Sequence, residues 1–201
     1  GQLNRTQNFL QDKLNKEEKK VGIPKSHRET YLILSLIHSM KGEVKEAIDY
    51  ANQGIDLGKE LKFPFIEAVS YARLAHAYQL SPFHNTEQVR DLYFKSIEII
   101  DKISIPRGKV EALMGLARLE TFYGEIEQGF KYVKKGIEIC NKSGDDWMAG
   151  WLKISFAINR YFDNKLVKAK QIFDEASEIF IKSDDNFSLA VCKLWLALIA
   201  Y

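Results

Sequence analysis

The chain has 201 residues, 46% of them hydrophobic and 28% charged, and a formal net charge of +2. That composition belongs to a folded globular chain and excludes a disordered tail. The near-balanced charge leaves no electrostatic footprint for nucleic acid.

No run of about eighteen apolar residues is present to span a bilayer. The N-terminal GQLNRTQNFLQDKLNKEEKK lacks the apolar centre of a signal peptide. A cytoplasmic location is expected, with no membrane contact. The chain begins without Met and ends in the apolar LWLALIAY, so we expect a piece of a longer protein.

Hydrophobic periodicity and turn residues predict about ten helices. An opening helix over 3–20 is followed by helix pairs at 25–41 and 44–61, 64–80 and 86–103, 106–123 and 126–142, and 146–162 and 165–182. A last helix begins near Asn186. Ser26 with Glu29 reads as a capping box and Thr86 as a cap. Turn signals fall at Gly42, Gly124, Gly144 and Asn164. The turn at 81–85, with Pro82, is the irregular one.

A strict period underlies these elements. Ser35, Ala75, Ala117, Ala157 and Ala197 are separated by 40, 42, 40 and 40 residues, and Pro24, Pro64, Pro106, Asp146 and Asn186 repeat the same spacings. Proline suits the first turn of a helix, and Asp or Asn suits an N-cap. In the second helices Ala47, Val89, Gly129 and Ala169 form another column. Seven residues later come Gly54, Ser96, Gly136 and Ala176. Glycine inside a helix costs about 1 kcal/mol relative to alanine, so Gly129 and Gly136 imply close approach of a neighbouring backbone. The expected organisation is one repeat domain over 1–201.

Residues that could carry chemistry are sparse. His27, His38, His76 and His84 show no metal-ligand spacing, and neither metal nor cofactor is expected. Cys140 and Cys192 read as buried thiols. Asp145-Asp146 and Asp184-Asp185 precede first helices, where capping explains them. No phosphate loop or nucleophile elbow occurs, so the chain is not expected to be an enzyme.

Helix hairpins with small residues at two crossing points resemble the tetratricopeptide repeat. Tyr71-x2-Leu74-Ala75-x2-Tyr78 fits that family's W-x2-L-G-x2-Y pattern. Tyr31, Leu34 and Ser35 fit it in part, as do Leu116 and Ala117. The period departs from the family's usual ~34 residues, and Leu113 and Lys153 stand where its early aromatic belongs.

The resemblance implies an all-α, right-handed superhelical solenoid of antiparallel hairpins that binds a protein or peptide in a concave groove lined by first helices. Within the family, LARLETFYGEIEQGF is most like the long repeats of MalT-type and SARP-type bacterial transcription regulators. Peptide-pheromone receptors of Gram-positive bacteria form a second possible home, and a general tetratricopeptide-repeat adaptor is a third.

Counting from the small column, the groove should present Arg73 and His76, with Val69 and Leu80, from one helix. The next offers Glu111, Gly115, Arg118 and Phe122, and the one after it Trp151, Ser155, Ile158 and Phe162. Trp195 and Leu198 continue the stripe. Aromatic area with arginine suits an extended peptide or a partner helix; packing of these rings between adjacent helices is the competing reading. Apolar end faces of a repeat array also suggest a homodimer through terminal repeats, and direct nucleic-acid contact is not expected.

Overall fold

The computed structural model describes residues 2–17, 29–82 and 84–201, and every described element is helical. The helices are α1 (Gln2–Glu17), α2 (Thr30–Lys41), α3 (Val44–Glu60), α4 (Pro64–Gln79), α5 (Thr86–Lys102), α6 (Val110–Phe122), α7 (Ile126–Ser143), α8 (Asp146–Phe162), α9 (Leu166–Lys182) and α10 (Asn186–Ala200). Pro24, Ser26, His27 and Phe83 lie outside the described residues, and with them the expected capping box.

Two compact units divide the chain, residues 1–104 and 105–201. In the first, α2 packs on α3, α3 on α4 and α4 on α5, while α2 also touches α4. In the second, α6 pairs with α7 and α8 with α9, and the first helices α6, α8 and α10 meet in succession.

The small columns explain this stacking. Ser35, Ala75, Ala117 and Ala157 are buried, and so are Ala47, Val89, Ala169, Ser96 and Ala176. Among the glycines the reason is steric. A Cβ on Gly129 would meet Ala117 O at 2.9 Å and Thr121 Oγ1 at 2.5 Å, and one on Gly136 would meet Leu152 Cδ2 at 2.8 Å. The spacing did not single out Gly58, where the close atom is main chain: its Cβ would come 2.5 Å from the backbone N of Glu67.

Caps sit one residue earlier than the sequence suggested. Asp145 Oδ1 accepts from Met148 N at 3.1 Å, Asp185 Oδ1 from Ser188 N at 3.0 Å, and Asn85 Oδ1 from Gln88 N at 3.1 Å. Asp146, Asn186 and Thr86 are instead the first helical residues. A cap must precede the helical backbone for its side chain to reach the N–H two or three residues on. The helix expected from Pro106 opens as a 3-10 turn over Pro106–Lys109, closed by Gly108 N to Ile105 O, before α6 begins.

The turns repeat as well. Gly42, Gly124 and Asn164 take positive φ between the helices of a hairpin; Lys62, Ser104, Gly144 and Asp184 do so between hairpins. Where the chain leaves α2, for example, Gly42 N donates to Ser39 O and Glu43 N to His38 O. Phe63 N to Gly58 O and Asp185 N to Phe180 O are the same bond at later turns. This pairing satisfies the last orphan carbonyls of each helix through a left-handed residue.

Candidate binding face

Ala75, Ala117 and Ala157 are buried, and the residues five positions later, Leu80, Phe122 and Phe162, are exposed. The site residues expected from the sequence are spread over both units. In the first unit, α4 carries Arg73 and His76, both half-buried, and ends near Leu80, which is exposed. In the second, Glu111 and Arg118 on α6 and Trp151 on α8 are half-buried, whereas Phe122 and Phe162 are about half exposed, at 50% and 47%.

Phe122 and Phe162 occupy equivalent places one repeat apart, and the structure brings them together. Their rings meet edge to face at 5.3 Å. That geometry aligns a positive ring edge with a negative ring face. Phe162 also touches Tyr161 at 5.6 Å, and Tyr161 touches Trp195 at 5.5 Å, which stacks on the buried Phe173 at 5.9 Å. The result is an aromatic chain from the core to the surface.

Other expected members turn inward. Ser155 is only 1% exposed, and its hydroxyl donates back to Trp151 O at 3.3 Å, so it presents nothing to a ligand. Ile158 and Gly115 are buried too. Trp151 lies edge-on to Phe180 at 5.9 Å and near Trp147 and Phe187.

Sequence reasoning missed Tyr161 and Trp147. Tyr161 precedes a column member, and Trp147 stands in the first turn of α8. A column drawn through Arg107 and Trp147 would have found the second.

Charges border this face. Asp163, next to Phe162, is paired with Lys165 at 2.7 Å and Arg160 at 3.0 Å. The Lys165 ammonium, helped by Arg160, holds the Asp163 carboxyl below its usual range.

Beneath lies a buried polar cluster. Asn159 Nδ2 donates to Thr121 Oγ1 at 2.9 Å and to Ile126 O at 2.8 Å, tying α8 to the preceding hairpin. The Arg160 guanidinium donates to Asn159 Oδ1 through Nε at 3.1 Å. Its carbon lies 4.9 Å from the centroid of the Phe130 ring.

Asp145 and Asp185 are engaged as caps. Both thiols are free and buried, and burial, with Asp145 close by, pushes Cys140 up to about 11. That is the opposite of an activated nucleophile. Among the described residues no three metal-ligating side chains cluster, and no helix is long and apolar enough to cross a membrane. His38 Nδ1 lies 2.6 Å from Glu43 and His84 Nδ1 2.8 Å from Ser81 O.

No family profile matches the chain, and no curated protein matches it in sequence. Several solved structures match it in fold. A signal-transduction ATPase with numerous domains (STAND) and a tetratricopeptide repeat sensor, from Pyrococcus horikoshii, aligns with 93% of this chain at TM-score 0.65 and 16% identity. This chain spans only 29% of that protein.

The apo form of RapI aligns at TM-score 0.69 and 15% identity, over 99% of this chain and 77% of RapI. A Rap protein complexed with competence and sporulation factor aligns at 0.66 and 12%, over 98% of this chain and 60% of that one. The chain therefore has the all-α fold of tetratricopeptide-like helical-repeat solenoids.

Proposed function

We propose that this chain is a non-catalytic module that binds a protein or peptide along the outward face of its first helices. The observation that carries this reading is the contact of two half-exposed rings, Phe122 and Phe162, at equivalent places in consecutive repeats. A folded chain does not gain by leaving large rings in water, and exposed aromatic area is what interfaces use. Arg118, one helical turn before Phe122, adds a cation beside it.

Within the second unit Glu111 and Trp151 extend the proposed face, with a segment in extended or helical form as its ligand; Arg73 and His76 are the residues we propose for the same role on the first unit, taken by itself. The repeat register passes from Gly54 through Ser96 to Gly136 at spacings of 42 and 40 residues, which supports a single repeat domain.

The parent protein we propose is a cytoplasmic bacterial transcription regulator of the MalT-like or SARP-like kind, with this chain as its sensor or assembly part. The likeness to a repeat sensor in a STAND protein supports it. A second reading, a peptide receptor, is favoured by the likeness to a Rap protein complexed with competence and sporulation factor.

Peptides selected from a displayed library against this chain test the binding face. In fluorescence polarisation, Phe162→Ala and Arg118→Ala should each weaken the selected peptides by about tenfold. Unchanged affinity in both variants, or failure to select any peptide, sinks the assignment. An ATPase or winged-helix segment encoded beside this chain in its gene would favour the regulator over the receptor.

A further inference from the structure

Helix α10 has one face in the core and one in water. Cys192 is buried, and Val191, Trp195, Leu196 and Ile199 pack against the cluster around Ile172 and Phe173. On the opposite side Ala190, Lys193, Leu194 and Ala197 are exposed, Leu194 at 63%. They follow the i, i+3, i+4, i+7 pattern of a single helical stripe.

The equivalent stripe one repeat earlier is Gly150, Lys153, Ile154 and Ala157 of α8, and it is covered by α9. Ile154 and Ala157 cluster with Phe173, Ala176 and Phe180. Gly150 lies against Phe180, and Lys153 Nζ is 2.5 Å from Glu175 Oε2. Small residue, lysine, branched aliphatic and alanine recur in the same order and at the same spacing. The chemistry that fits one stripe therefore fits the other, down to the lysine.

We propose that the open face of α10 docks an amphipathic helix with the character of α9. That helix would carry small residues seven apart, as Ala169 and Ala176 are, large apolar residues between and beyond them, and a carboxylate beside the second small residue to meet Lys193. Ala190 stands where α8 has glycine. A Cβ at Gly150 would lie 2.8 Å from Phe180 Cζ, so the docked helix carries a side chain shorter than phenylalanine there. A second copy of this chain does not offer such a helix, because Phe173, Ala176 and Phe180 are fully buried in their own hairpin. This surface is separate from the Phe122 and Phe162 face.

The probe is a labelled peptide of residues 165–182 carrying Phe180→Leu, titrated into the full 201-residue chain. Saturable binding is expected, weakened by about tenfold in Leu194→Asp. Leu194 is exposed, so circular dichroism of that variant should match the parent. Lys193→Glu should weaken binding, and a peptide with Glu175→Lys should restore it, which a non-specific apolar contact would not do.

The proposal is overturned by absence of binding, and equally by binding that Leu194→Asp leaves intact, which would mean that the peptide replaces the chain's own α9. It is also overturned if sedimentation shows the chain paired with itself through Leu194.

Discussion

Arg107 and Asp145 are joined across 38 residues of chain: the guanidinium Nε donates to Oδ2 at 2.8 Å. One repeat later Trp147 Nε1 donates to Asp185 Oδ2, again 38 residues away and at 2.8 Å. An arginine and a tryptophan thus fill one structural role. In each case the receiving carboxylate also caps its own helix, so one aspartate secures a helix start and fastens it to the preceding repeat, through the 3-10 turn before α6 in one case and the first turn of α8 in the other. In a repeat array, where stability is a sum of local and nearest-neighbour terms, such a residue counts in both.

Asp185→Ala should lower stability by about 1–3 kcal/mol, combining a lost cap with a lost side-chain hydrogen bond. Trp147→Phe keeps the ring and removes only the donor, and should cost no more than about 1.5 kcal/mol. Urea titration followed by circular dichroism separates the two. Equal losses would mean that the cap contributes nothing.

Acid should expose the same carboxylate. Burial pushes Asp185 up, but donors from the Ser188 hydroxyl and backbone, Trp147 and the Phe187 backbone outweigh it and leave it below its ordinary value. A depressed folded-state value means that the stabilisation is complete above the unfolded value of about 3.9 and is lost as pH falls through the folded one. Melting temperature should therefore drop below about pH 4, and Asp185→Asn should flatten part of that drop. An identical profile in the variant refutes the linkage.

Turn residues offer a test free of packing. Asp184 holds φ 52°, a left-handed conformation that costs a side chain about 1 kcal/mol, whereas the equivalent residue one repeat earlier is glycine. Asp184→Gly should gain about 0.5 kcal/mol, part of the relief being returned to a looser unfolded chain. Gly144→Ala should lose about 1 kcal/mol, although no atom lies within 4 Å of the added methyl. Opposite signs from the two substitutions are the expected result in chemical denaturation.

Gly58→Ala has the reverse logic. Alanine improves helix propensity by about 1 kcal/mol, but its methyl would come 2.5 Å from the backbone of Glu67, which has no rotamer to change. Overpacking of this kind costs about 1–3 kcal/mol, so net destabilisation is expected. A melting temperature at or above that of the parent would show that α3 and α4 separate easily.

Asn159→Ala should be among the most damaging polar substitutions in the second unit. It removes the amide that donates to the Ile126 carbonyl and the Thr121 hydroxyl, and takes a buried acceptor from the Arg160 guanidinium. Unsatisfied buried groups cost about 1–3 kcal/mol each, and more when charged. Hydrogen exchange should accelerate in both α7 and α8. Acceleration in α8 alone would mean that the amide does not bind the hairpins together.

Legibility in the sequence followed how local each signal was. The forty-residue columns located the hairpins and their crossings, because a small residue is needed wherever two helices meet. The caps were displaced by one, since Asp145 and Asp146 are equivalent as letters and only backbone geometry decides which precedes the helix. The 3-10 turn before α6 and the left-handed Lys62, Ser104 and Asp184 left no trace, because none carries the glycine that usually marks such a bend. The register of Ser155 points outward, but the closeness of the neighbouring helices buries it. Asn159, unmatched in other repeats, could be understood only once Thr121 and Ile126 were beside it.

The bends between helices are closed by amide and carbonyl groups that every residue except proline supplies in full. Lysine, serine, glycine and aspartate all occupy one kind of junction here, at a cost in strain that the side chains carry and glycine does not. A scaffold hinged on its main chain can take one form from several spellings.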